Sequence, residues 1–209
     1  STAFASELRA MVIIGASTGG PEALMNVIPK LPRDIPAGIV VAQHMPGGFT
    51  RYLAERIDAL SAVDVKEAAE GDGFLPGRVL VAPGGFHFML GDCEGKPCVM
   101  LLSKNKAQRT ACPSVDFAMT SFAPVFRERL VGVVLTGMGR DGTAGCAAIR
   151  RYGGSVICQD RETSLVHGMA GSVIEAGLAH VVTSLDRIAD CIANTVSEIA
   201  ARETANESL

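Results

Sequence analysis

The sequence predicts an α/β protein: a single domain, doubly wound around a mostly parallel sheet, with an antiparallel hairpin insertion. Short, fully apolar runs recur along the chain, as strands buried on both faces of a parallel sheet require. Most of these runs end in a glycine-rich or polar turn that leads into an amphipathic stretch, which is the rhythm of βα units. At 209 residues the chain is long for one domain and short for two, so a single core is expected.

The first apolar run covers residues 11–14 and breaks at Gly15-Ala16-Ser17-Thr18-Gly19-Gly20. Pro21, suited to the first turn of a helix, then opens a helical stretch to residue 28. Residues 38–42 repeat the form, ending in Gln43-His44-Met45-Pro46 before an amphipathic helix over 49–60. The pattern then changes. Residues 79–82, 86–90 and 99–102, separated by Gly- and Pro-containing turns, read as consecutive strands with at least one hairpin. A helix follows over 114–126, with Pro124 as an early stop signal.

The βα form returns with a strand over 131–135, the turn Thr136-Gly137-Met138-Gly139-Arg140-Asp141-Gly142 and a helix over 143–151. Strands over 155–158 and 180–183 and helices over 169–176 and 185–201 complete the chain. Residues 1–10 read as a linker stub and 11–209 as the domain proper. There is no internal repeat and no low-complexity tract.

Composition narrows the function. A net charge of −3 and a pI near 5.8 give no basic field for phosphate backbones, and aromatics, at 5%, are too scarce to form base-stacking platforms. Nucleic acid is therefore not an expected partner. No run reaches the roughly 18 apolar residues that a membrane-spanning helix needs, so no membrane insertion is expected. The six cysteines form no C-x-x-C pair, and several lie in apolar segments as small hydrophobes; together with the lack of a signal-peptide pattern this points to a reducing cytoplasm.

In open parallel sheets ligands bind beyond the carboxyl ends of the strands. Three polar residues follow apolar runs there: Ser17, His44 and Asp141. They are a nucleophile, a base and a base-orienting carboxylate, the set required for acyl transfer. Gly15-Ala16-Ser17-Thr18-Gly19 matches G-x-S-x-G, a sharp turn that exposes a serine oxygen. Each residue also has a plainer reading. Ser17 or Thr18 would cap the helix that begins near Pro21, Asp141 would cap the helix after it, and His44 would satisfy local hydrogen bonds. The chain order Ser, His, Asp differs from that of the α/β-hydrolase fold, so that topology is not implied.

Other chemistries lack support in the residues. A dinucleotide fingerprint needs glycine where Ser17 stands and an acid where the second strand ends in Gln43-His44, so nicotinamide or flavin binding is only a runner-up. There is no phosphate-binding G-x-x-x-x-G-K-[ST] loop. His87, His167 and His180 are dispersed and have no metal-ligand spacing with the cysteines, so neither a metal nor another cofactor is expected. Cys112, before Pro113, is a lone thiol with no identified base.

The segments GASTGGPEAL, QHMPGGFTRYLAERI, GRVLVAPGGFH, PSVDFAM and VGVVLTGMGRDGTAG resemble the chemotaxis protein-glutamate methylesterases of the CheB type, in order and over nearly the whole chain from residue 11. The resemblance implies a serine hydrolase acting on γ-glutamyl methyl esters of the cytoplasmic helices of chemoreceptors, with glutamine deamidation in some members. It makes Ser17 the nucleophile, His44 the general base and acid and Asp141 the carboxylate that orients it. Backbone donors near Thr18 and Met138 are the candidates for an oxyanion hole. Members commonly carry an N-terminal receiver domain, which has no counterpart in these residues.

Two departures bear on recognition. Arg109-Thr110-Ala111-Cys112 stands where many members have a basic, histidine-containing lead, leaving Arg109 as the one cationic candidate for substrate contact. His167-Gly168-Met169-Ala170 stands where an aromatic-G-M-P is usual. A reading from a different class is a noncatalytic module of the same fold that docks on a signalling protein; an intact Ser17, His44 and Asp141 argues against it.

Overall fold

The computed structural model describes residues 8–103 and 111–207. Seven strands form one parallel sheet: β1 (Ala10–Ala16), β2 (Ala37–Gln43), β3 (Asp64–Glu67), β4 (Arg78–Val81), β7 (Leu130–Val134), β8 (Ser155–Gln159) and β9 (Val181–Thr183). Their order is β3-β4-β2-β1-β7-β8-β9. Between β4 and β7 the chain makes a separate antiparallel hairpin, β5 (Phe86–Cys93) with β6 (Lys96–Ser103).

Side-chain alternation along the strands builds two cores, one on each face of the sheet. Val12, Ile14, Ile39, Val41 and Val133 face α1 (Gly20–Val27), α2 (Phe49–Asp58) and α6 (Leu185–Glu207). Met11, Ile13, Val40, Ala42 and Val134 face α3 (Val115–Phe126), α4 (Thr143–Arg151), α5 (Met169–Glu175) and the hairpin residues Phe88 and Val99. Because both faces are covered, β1 and β2 are buried at every position, which explains their unbroken apolar runs. The architecture is the doubly wound α/β domain with an antiparallel insertion that the sequence predicts.

Three details differ from expectation. Strand β3 was not foreseen, because only Val65 of its four residues is fully buried; an edge strand with solvent on its outer side needs no apolar run. The strand at residues 79–82 belongs to the parallel sheet beside β2 rather than to the hairpin series. Helix α3 runs to Phe126 as the sequence predicts, passing through Pro124. Thr120, whose carbonyl loses its partner at Pro124, is exposed, as is Pro124 itself, so water can satisfy the orphan group. Finally, the cysteines are not all thiols: Cys93 and Cys98 are joined by a disulfide, whereas Cys112, Cys146, Cys158 and Cys191 are not bridged. No helix among the described residues is long and apolar enough to cross a membrane.

Candidate active site

The sheet brings the three singled-out residues to adjacent strand ends. Strand β1 lies between β2 and β7, and the backbone ladder runs one step past each strand. The His44 N–H donates to Ala16 O at 3.0 Å, and the Ser17 N–H donates to Thr136 O at 3.0 Å. Ser17 therefore sits between the turn that carries His44 and the turn that leads to Asp141. A β-carbon at Gly137 would lie 2.9 Å from the Ser17 Cβ, so only glycine lets the second turn approach the serine this closely.

His44 and Asp141 are in contact. His44 Nε2 donates to Asp141 Oδ2 at 2.7 Å, with both side chains less than one-fifth exposed. The remaining acceptor sites of Asp141 are also used. Oδ2 accepts from the Val115 N–H at 2.8 Å, and Oδ1 accepts from the Asp116 N–H at 2.9 Å and from Ser114 Oγ at 3.0 Å. Burial pushes the Asp141 pKa up, but the hydrogen bonds from His44, Asp116 and Val115 outweigh it and hold the carboxyl below its ordinary value. The ionised form is thus the one built into the fold.

The plainer reading of these residues as caps of the helices that follow them does not hold. The N-cap of α1 is Gly19, at φ 81°, and the N-cap of α4 is Gly142; neither helix has a side-chain cap at that position. Asp141 does bind a helix N-terminus, but it is that of α3, reached across the fold. Ser17 Oγ makes no hydrogen bond among the described residues, so the hydroxyl is uncommitted, on a strand end that adjoins the turn carrying His44. Likewise no hydrogen bond from the N–H of Thr18 or Met138 occurs among them; both residues are exposed, Met138 to 73%. Arg109 and Thr110 lie outside the described residues. Ala111 and Cys112 are half-buried, and Ala170 is buried in the first turn of α5.

Sequence reasoning missed the residues that hold the turns. Gln43, buried at the end of β2, donates from Nε2 to Ser17 O at 2.9 Å and to His44 O at 3.1 Å. Thr136 Oγ1 donates to Thr18 O at 2.9 Å and accepts from the Val166 N–H, while the Thr136 N–H donates to Gln159 Oε1 at 2.8 Å. The signal was present as a polar residue closing an otherwise apolar strand, at Gln43 and again at Gln159. Burial raises the pKa of Cys146 and pushes that of Cys158 up to about 12, which removes both as nucleophiles. His180 is tied to Val156 N and Arg150, and His87 stacks on Phe117 with ring centroids 4.5 Å apart.

An uncommitted hydroxyl, an imidazole and a fully bonded carboxylate on neighbouring strand ends are the group types that serine-dependent acyl transfer uses. The chain belongs to the CheB methylesterase family, which it matches over residues 12–192. It is 50% identical to the protein-glutamate methylesterase/protein-glutamine glutaminase of Symbiobacterium thermophilum, over 94% of this chain and 54% of that protein. Identity to the enzyme of the same name from Pyrococcus horikoshii is 45%, over 91% and 52%. The chain thus spans about half the length of the curated relatives it matches. The crystal structure of the Thermotoga maritima CheB methylesterase catalytic domain superposes with a TM-score of 0.85 at 44% identity, covering 88% of this chain and 97% of that one.

Proposed function

We propose that this chain hydrolyses γ-glutamyl methyl esters on the cytoplasmic helices of chemoreceptors, with residues 11–209 as the catalytic unit and Ser17, His44 and Asp141 as its triad. The observation that carries the reading is the His44–Asp141 hydrogen bond, made from turns that the backbone ladder sets on either side of Ser17. Nε2 of His44 donates to Asp141, so Nδ1 is the ring nitrogen left to take the serine proton.

Ser17 Oγ attacks the ester carbonyl as His44 Nδ1 accepts its proton, and Asp141 stabilises the resulting imidazolium. The N–H groups of Thr18 and Met138, with no acceptor among the described residues, receive the oxyanion, and the nearby N-terminus of α1 favours the developing negative charge. The tetrahedral adduct collapses, His44 returns the proton to the leaving methoxide, and methanol departs. Water then attacks the acyl-serine with His44 again as base, releasing glutamate and Ser17. With a glutamine side chain the same steps expel ammonia, which is the second activity in the names of the relatives.

In this reading the enzyme works in the cytoplasm. Its partners are the methylated receptor helices, contacted by Arg109, and a receiver or other regulatory domain.

The test is methanol release from a chemoreceptor cytoplasmic fragment carrying γ-glutamyl methyl esters. Ser17→Ala, folded as judged by circular dichroism, is expected to lower the rate by roughly 10⁴–10⁶; equal rates in the two proteins would remove Ser17 from the mechanism.

A further inference from the structure

We propose that Asp116 is a positioning residue of this site. It exchanges carboxylates with Asp141 between the N-termini of two helices, and the exchange holds Asp141 on His44. The inference rests on the triad reading given above.

Asp116 lies in the first turn of α3, and its Oδ1 accepts from the N–H of Gly142 at 2.9 Å and of Gly145 at 2.7 Å. These are donors at the start of α4, whose N-cap is a glycine without a side chain to satisfy them. Asp141, one residue ahead of that N-cap, does the reverse, accepting from Val115 N, Asp116 N and Ser114 Oγ at the start of α3. Each helix is capped by the carboxylate of the other.

The close approach has its own requirement. A β-carbon at Gly145 would lie 2.6 Å from the Met119 Cβ, so glycine lets α3 and α4 press together at this level.

The positional consequence follows from counting what touches Asp141. Three of its four hydrogen bonds come from residues 114–116, and the fourth is the one to His44. The N-terminus of α3 therefore sets where the carboxylate points. That N-terminus is in turn pinned to the turn carrying Asp141 by the single oxygen of Asp116. Removing that oxygen lets the donors slide relative to the carboxylate, and His44 loses its fixed orientation. The two carboxylates also repel. Burial first, and the charge of Asp141 second, raise the Asp116 pKa, against the pull of the Gly145 and Gly142 N–H groups. The fold tolerates this repulsion to keep both helix ends satisfied.

The chemistry supplies a selective pair of variants. Both N–H groups bind one oxygen of Asp116, so Asp116→Asn keeps an acceptor in place and deletes only the charge, whereas Asp116→Ala deletes both. In the full chain, Asp116→Ala is expected to lower kcat for methanol release by about 10–100-fold with KM within about twofold, as a misdirected base does. Asp116→Asn should recover most of that loss. A second readout needs no ester: the proton resonance of the His44 imidazole N–H bonded to Asp141 should shift upfield or broaden in Asp116→Ala and persist in Asp116→Asn.

Failure of the wild-type chain to release methanol would count against the esterase alone, and the resonance would still decide the exchange. If Asp116→Ala does not fold, Asp116→Glu, which retains charge on a longer arm, takes its place with the same expected losses. Wild-type kcat and an unchanged resonance in the folded Ala or Glu variant, or an Asn variant as impaired as the Ala one, would overturn the proposal.

Discussion

The two carboxylates near His44 are chemically alike, yet the fold shifts them in opposite directions. Asp141 has its folded pKa held below the unfolded value, so its contribution to stability is fully present above the ordinary carboxylate range and is lost as pH falls through the folded pKa. Asp116 is raised, so its ionisation opposes folding above its folded pKa, and acidification relieves that cost. Urea unfolding of wild type and Asp141→Asn from pH 7 to pH 3 should therefore give curves that converge as the pH drops, with the wild type losing stability more steeply; parallel curves would show that the hydrogen bonds to Asp141 leave its ionisation unaffected. Asp141 was legible in the sequence because it closes a glycine-rich turn after an apolar strand. Its donors were not, since residues 114–116 lie about 25 positions away and no local pattern connects them. Gln43 stood out as a polar residue closing an apolar strand, but its partners did not, because they are backbone carbonyls, which leave no trace in residue identity.

Among the elements, the seat of α3 on β1 is a tight contact near the site. A β-carbon on Gly15 would lie 2.4 Å from Val115 Cγ1, and a β-branched side chain has few rotamers with which to move aside. Gly15→Ala should therefore cost about 1–3 kcal/mol in denaturant unfolding, as overpacking does. It should also slow methanol release, because the Val115 N–H that would be displaced is one of the donors on Asp141. A stability loss with an unchanged rate would mean that α3 moves as a rigid body with its partner. Elements that bury both faces were readable from runs such as residues 11–14 and 38–42. Strand β3 was not, because an edge strand reading Asp-Val-Lys-Glu carries no period that separates it from a loop. The extent of α3 was legible to Phe126 despite Pro124, because a proline rule is local, whereas Phe122, Ala123 and Phe126 are held by the core.

The molecule as a whole divides into a parallel sheet that carries the site and a hairpin that lies along α3. His87 meets Phe117 in the first turn of the helix and the Leu90 N–H reaches Ser121 Oγ at 3.1 Å, about one turn on, so the hairpin runs away from Asp116 towards its bridged tip. Opening the Cys93–Cys98 disulfide, by reductant or as a Cys93→Ser/Cys98→Ser variant, should lower stability by about 2 kcal/mol or less for so short a loop. Methanol release should stay within about twofold, as expected for a change remote from the chemistry. The enzyme would then serve equally well in a reducing compartment. A large rate loss would make the tip part of substrate engagement.

The order of the strands also has a consequence for the life of the chain before it is complete. Ser17 and His44 emerge early, on strands that pair with each other, but the other flank of β1 stays bare until β7 arrives, and Asp141 follows directly after it. A nascent chain exposed only as far as residue 100 thus carries Ser17 and His44 without the carboxylate that binds the imidazole. Only when β7 slides in beside the first strand does the turn of Asp141 reach that flank, so on the triad reading hydrolytic competence comes only to molecules that have already committed to the native topology.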